Sequence, residues 1–343
     1  FESLVNKTEF YTATPVNKNG ITMYDKDEPG NSDCGPLVYE YCHQQAVDDG
    51  IARNFQIVCS VSSNSKNIEK NKPKKYQHTY ENIIRQILAP GPYKYYNVLT
   101  FHSGVNEQNN DDNSTVKEFA NKKNTKLLIK KFKEIQEKEF PETKELYKAE
   151  DIVFAGIHAK TKERDKIIQK FDQKIPGRIF ILSSCRTIGE GIDTKWANMI
   201  VPCDGGGSYI SDAQKIGRIT RKPEKGKMPD SIILIPVEIS AEELSKAQTL
   251  EEKNEIIQQE VGHCDQLLNV VSALRNQMDP QLFEMLLRYP NMFSPEEIKN
   301  NLQKQGLKVE ESKGDIIDNI KYILNDETID LVQLENDDET LEN

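Results

Sequence analysis

The chain has 343 residues, of which 36% are hydrophobic and 29% charged, a composition that excludes bulk disorder and leaves room for two domains. No apolar stretch approaches the roughly 18 residues that would cross a membrane as a helix. Of the net charge of −10, eight units come from Asp326, Glu327, Asp330, Glu335, Asp337, Asp338, Glu339 and Glu342. Without them the chain stands near −2, so its acidity does not exclude a nucleic-acid partner. The six cysteines show no C-x-x-C spacing, which argues against a zinc site, and Cys59, Cys185 and Cys203 sit in or beside apolar runs as buried thiols would. That usage points to a reducing, intracellular and cytoplasmic setting.

Six short β-branched runs punctuate residues 50–240: 55–61, 97–101, 152–157, 178–182, 199–202 and 232–237. They are apolar on both faces, as strands buried between helices are. Helical spacing lies between them, with Ile83, Ile84, Ile87 and Leu88, then Leu128, Phe132 and Ile135, then Ile167, Ile168 and Phe171. Strand alternating with helix predicts an α/β fold, a parallel sheet with right-handed crossovers and ligands at the carboxyl ends of its strands. Two polar segments read as exposed loops: 66–75, with five lysines that are either a solvated face or phosphate contacts, and 106–114. Beyond residue 240 the character changes. Ser240-Ala241-Glu242-Glu243 and Ser294-Pro295-Glu296-Glu297 are capping boxes, followed by amphipathic runs that include 256–275, 282–289, 298–302 and 316–324. These predict an all-helical extension over 241–325, with an acidic disordered tail over 326–343.

Three runs carry chemistry. The first is Phe10-Tyr11-Thr12-Ala13-Thr14-Pro15. The second, Arg186-Thr187-Ile188-Gly189-Glu190-Gly191-Ile192-Asp193, has two glycines suited to a tight turn at a strand end. The third, Asp212 to Arg221, reads Q-x-x-G-R-x-x-R from Gln214. Its arginines, Arg218 and Arg221, are spaced to share one side of a helical turn, and Gly217 leaves space for a close approach. Guanidinium groups stay charged and fork onto phosphate oxygens, which suits stabilisation of a transferring phosphoryl group.

In this order the runs resemble motifs III, V and VI of superfamily 2 helicases of the DEAD/DEAH-like kind, over roughly residues 8–240. A weaker likeness over 35–59, through Tyr39, Tyr41, Ala46, Val47, Gly50, Ile51 and the run 55–58, is to helicases of large DNA viruses, for which a viral factory or virion would be the setting. The resemblance implies a RecA-like helicase C-terminal domain over 36–240, preceded by the end of a first RecA-like domain and linker over 1–35. It implies an ATP-dependent helicase or translocase, an NTP hydrolase in the longer protein, with ATP and Mg2+ as cofactors. Neither a G-x-x-x-x-G-K-[ST] phosphate loop nor a D-E-x-[DH] run occurs here. The metal would therefore be held by the first motor domain, this chain alone would be inactive, and the expected partners are that domain and a single strand of DNA or RNA.

Residue by residue, the resemblance makes Arg218 and Arg221 arginine fingers for ATP, with Gln214 sensing the nucleotide. Gly191, Asp193 and Gly217 approach the nucleotide; Asp193 is otherwise a helix cap. Thr187 holds a nucleic-acid phosphate. Ser103, His102 and His158 end strands where further backbone contacts belong; the histidines are otherwise structural. Thr12 and Thr14 couple the two domains. Gly205-Gly206-Gly207 is either an anion nest or a linker. An alternative function is a nucleic-acid-binding or partner-docking module with no ATPase role.

Overall fold

The computed structural model describes residues 43–64, 75–105, 115–185, 194–204, 209–240 and 320–324, with isolated positions at 34, 39, 41, 246, 247, 249, 252 and 256. Seven strands form one sheet: β1 (Phe55–Asn64), β2 (Tyr96–Phe101), β3 (Ile152–Ile157), β4 (Ile179–Ser184), β5 (Met199–Pro202), β6 (Ser231–Ser240) and β7 (Ile320–Leu324). Their spatial order is β3-β4-β2-β5-β6-β1-β7, and every pairing is parallel. The first six are the six apolar runs, each found within three residues of its expected bounds; β1 and β6 run three residues further at their carboxyl ends.

The helices are α1 (His43–Asp48), α2 (Lys75–Leu88), α3 (Val116–Ala120), α4 (Lys122–Glu139), α5 (Arg164–Phe171) and α6 (Tyr209–Ile219). Strand residues alternate between the two faces of the sheet, so each face has its own core. On one face Val58, Val98, Ile179, Ile181, Met199, Val201, Ile232 and Leu234 pack against Tyr80, Ile83, Ile84 and Ile87 of α2, Phe119 of α3, and Leu128, Phe132 and Ile135 of α4. On the other, Phe180 meets Phe171 of α5 at 5.4 Å between ring centroids, and Lys215 of α6 lies over the Phe101 ring. α3 sits close to β3 because position 156 is glycine: a Cβ there would stand 2.7 Å from Val116 Cγ1 and 2.9 Å from Ala120 Cβ. Its start is fixed by Glu118, whose Oε2 accepts from the Thr115 N–H at 2.8 Å and from the Thr115 hydroxyl at 3.1 Å.

The amphipathic run 316–324 departs from its expected helical form. Residues 320–324 are a strand instead, β7, paired in parallel with Ile57–Val61 of β1. Short runs of isoleucine and leucine satisfy both periods, and the β-branched and aromatic content of Ile320-Lys321-Tyr322-Ile323 suits the pleat. The remainder of the expected helical extension, apart from the isolated positions, lies outside the described residues, as do the acidic tail and the segment 1–33. The cysteines at 34, 59, 185 and 203 are free thiols. No helix among the described residues is long and apolar enough to cross a membrane.

Candidate functional site

Among the described residues, those singled out in the sequence fall towards two opposite ends of the sheet. At the carboxyl end of β2, His102 and Ser103 leave the strand. The neighbouring backbone is anchored: the His102 N–H donates to Ser184 O at 2.9 Å, and the Val116 N–H donates to Gly104 O at 3.3 Å. His102 is only 5% exposed, so it lies in the core and not at the surface that a phosphate contact needs. Its Nε2 is 2.8 Å from the Thr100 hydroxyl, which in turn bonds Ser183 Oγ at 2.9 Å, and its ring packs on Phe119 with centroids 5.0 Å apart. Ser103 is exposed. Its N–H and its hydroxyl both donate to Asp204 Oδ2, each at 2.9 Å, which ties the end of β2 to the loop after β5.

His158 ends β3, the edge strand two places from β2 and thus about 10 Å away along the hydrogen-bonding direction. It is half-buried in a tight turn. Its N–H donates to Thr161 Oγ1 at 2.9 Å, and its Nδ1 accepts from the Lys160 N–H at 3.2 Å, which places any ring proton on Nε2.

The two arginines do not join this end of the sheet. α6 follows β5 and, as a crossover helix does, runs back across the sheet for about 16 Å. Arg218 and Arg221 therefore arrive at the amino ends of the strands, contrary to the expectation that ligands gather at the carboxyl ends. Nor do they share a helical face. α6 stops at Ile219, and Arg221 instead forms an antiparallel bridge with Ala52. Pro223 disfavours a helical residue before it, and the backbone at 219–221 has partners elsewhere. The Arg53 N–H donates to Thr220 O at 2.9 Å. The Arg53 guanidinium donates through Nε to Ile219 O and through Nη2 to Ala197 O. The Ser231 hydroxyl also donates to Ile219 O. The last carbonyl of α6, Ile219 O, which no helix satisfies internally, is thus capped by two buried side chains.

Arg218 is buried, and that burial pushes its pKa down. Arg221 is half-buried, as are Gln214 and Gly217. At Gly217 a Cβ would meet nothing within 4 Å, so no protein group of the described structure demands the glycine. Thr187, Gly191, Asp193, Thr12 and Thr14 lie outside the described residues. Among the described residues no cluster of His, Cys, Asp or Glu could hold a metal ion.

Sequence reasoning missed Arg53 as a structural centre. It is among the largest fully buried side chains, and burial lowers its pKa while Tyr93 and Tyr95 partly offset that effect. Nothing local marks it, since Ile219 and Ala197 lie 166 and 144 residues away. Asp204 is marked in the sequence only by its place directly before Gly205-Gly206-Gly207.

Residues 114–223 match the family model of the helicase conserved C-terminal domain. Among solved structures, an ATP-dependent Type ISP restriction-modification enzyme, LlaBIII, bound to DNA is similar at 15% identity with a TM-score of 0.51. The likeness covers 84% of this chain but only 17% of that one. The C-terminal domain of the DEAD-box protein Dbp5 is similar at 16% identity over 55% of this chain and 78% of that one, with a TM-score of 0.29. Domain 2 of the DEAD-box helicase Mss116p, bound to an RNA duplex, is similar at 16% identity over 74% and 94%, also with a TM-score of 0.29. At these identities a likeness bears on fold alone, and only the first superimposes well enough to carry it. No curated protein matches the chain in sequence. The match at 114–223 lies in an all-parallel sheet with flanking helices, which fits the RecA-like α/β fold of a helicase conserved C-terminal domain.

Proposed function

We propose that this chain is the second motor domain of an ATP-dependent nucleic-acid helicase or translocase, and that the two ends of its sheet serve two ligands. The observation that carries the reading is the separation itself. Residues suited to a polyphosphate lie at the amino end, and residues suited to a strand backbone lie at the carboxyl end, with α6 running between them.

At the amino end, Arg221 stands beyond the helix where it is accessible to a nucleotide held by a first motor domain, and Arg218 backs it one turn earlier. A positive group placed against the γ-phosphate stabilises charge that develops during transfer. Gln214 orients the nucleotide, and the open side of Gly217 admits the opposing domain. Gly191 and Asp193 approach the nucleotide and its ribose. ATP with Mg2+ supplies the phosphoryl group, and the metal belongs to the first domain, with Thr12 and Thr14 in the coupling path between domains.

Thr187 takes a phosphate of a single strand, and so does Ser103 at the carboxyl end, with His158 as an edge contact and His102 as the group that positions Ser103. Hydroxyls and backbone N–H groups at such places grip phosphates without reading bases. The test is the affinity of the chain for single strands of DNA and RNA over a salt series. Binding should be indifferent to base sequence and fall steeply with salt, by about 0.7 log unit per log unit of salt for each phosphate held. Thr187→Ala should weaken it. Absent or salt-independent binding would remove the strand-gripping half of the proposal.

A further inference from the structure

The hydrogen bonds at Ser103 conflict with a simple phosphate contact. A serine offers two donors, its backbone N–H and one hydroxyl proton. Here both reach the same atom, Asp204 Oδ2, at 2.9 Å each. Two donors converging on one anionic oxygen is the geometry in which a phosphate oxygen would be held. In this state Ser103 has no donor left to give.

Two further observations show which partner yields. Ser103 is fixed: its carbonyl accepts from Cys185 Sγ at 3.4 Å, its neighbours His102 and Gly104 are bonded to Ser184 and Val116, and β2 is paired on both sides. Asp204 is poorly satisfied. Its second oxygen, Oδ1, is buried without a hydrogen-bond partner among the described residues, an arrangement native proteins rarely keep without a reason.

Resting on the strand-gripping reading above, we propose that Asp204 is a built-in occupant of the phosphate seat at Ser103, and that a strand phosphate and the Asp204 carboxylate exclude each other. Strand binding then includes the release of Asp204. The apparent affinity is reduced by the fraction of molecules in which the seat is already filled. The seat also stays closed to stray anions until the rest of the strand supplies enough contacts to displace the carboxylate.

The experiment titrates a fluorescently labelled oligothymidylate or oligouridylate single strand into the 343-residue chain. Asp204→Ala, Ser103→Ala and the double variant are compared with wild type. The proposal predicts that Asp204→Ala binds about 5- to 10-fold tighter, the size of an ordinary coupling between two ligands of one site. Ser103→Ala should bind more weakly, and Asp204→Ala should add nothing in the Ser103→Ala background. A gain that persists in that background reports mere loss of a negative charge and overturns the proposal. No gain in Asp204→Ala, with Ser103→Ala weakened, also overturns it while leaving the strand-gripping reading intact. No effect of either substitution removes both. Asp204→Asn keeps the side-chain shape and covers the case in which alanine disturbs folding; it should show a smaller gain of the same sign, and a loss of affinity there counts against the proposal.

Discussion

Gly217→Ala separates folding from function with opposite signs. Position 217 lies in the last turns of α6, and glycine there is worse than alanine by about 1 kcal/mol because the unfolded chain is freer and no side chain covers the helix. The usual reasons for tolerating it are absent: its φ is not positive, and an added Cβ would meet no atom of the described residues within 4 Å. The substitution should therefore stabilise this chain by roughly 0.5–1 kcal/mol. In a urea melt followed by the single tryptophan, Trp196, the midpoint should rise by about 0.3 M with an unchanged slope. If the open side of α6 is where the first motor domain and its nucleotide approach, the same methyl group should lower nucleic-acid-stimulated ATP hydrolysis in the longer protein. A destabilised chain would refute the packing argument. A stabilised chain with unaltered hydrolysis would refute the claim that the cleft closes on Gly217.

The other predictions concern the framework behind the site. Arg53→Met removes the donors of Ile219 O and Ala197 O, and Ser231 rescues only the first. Ala197 O, the one buried carbonyl left without its side-chain donor, costs about 1–3 kcal/mol, partly offset by no longer burying a charge, so a net loss of about 1–2 kcal/mol is expected. A loss below about 0.5 kcal/mol in a denaturant melt would show that Arg53 does not hold the end of α6. Stability should also collapse in alkali. Burial raises the pKa of Tyr80, Tyr93, Tyr95, Tyr96 and Tyr147 above the ordinary value of 10.0. The folded state therefore keeps protons that the unfolded state loses, so stability is intact below about pH 10 and falls above it by roughly 1.4 kcal/mol per pH unit for each such tyrosine. The Tyr80 hydroxyl has no hydrogen-bond partner among the described residues, so Tyr80→Phe should be near neutral at pH 7 and should make the alkaline decline shallower. An unchanged decline would contradict the assignment.

The strands were legible because burial on both faces leaves unbroken apolar runs such as 152–157 and 232–237. The longer helices were legible because Ile83, Ile84 and Ile87, or Leu128, Phe132 and Ile135, repeat at helical spacing. α1 and α3 were not, since six- and five-residue helices carry too few positions to set a period, and α3 is defined by the Thr115–Glu118 cap and its fit to Gly156. The run at 320–324 was misread because its pattern satisfies both periods until a partner strand decides. At the site, the motif residues were legible by type, but their grouping was not. Chain direction explains the arginines: a helix that follows a parallel strand ends at that strand's amino side. The link between Ser103 and Asp204 spans 101 residues and involves side chains whose identity alone suggests no pairing. Arg53 was hidden for the same reason, since its role rests on backbone carbonyls that any residue would supply.

The central claim is that the end of α6 completes an ATP site across a domain cleft. Its most direct test is the ATP hydrolysis rate of a protein that carries this chain behind a first motor domain, with and without single-stranded nucleic acid, for wild type and Arg221→Ala. The account predicts stimulation by the strand and a loss of at least about 10²-fold in the variant, a conservative floor for an arginine finger. If Arg221→Ala hydrolyses ATP as fast as wild type while strand binding is preserved, Arg221 is no finger and the motor reading of this end of the sheet is wrong.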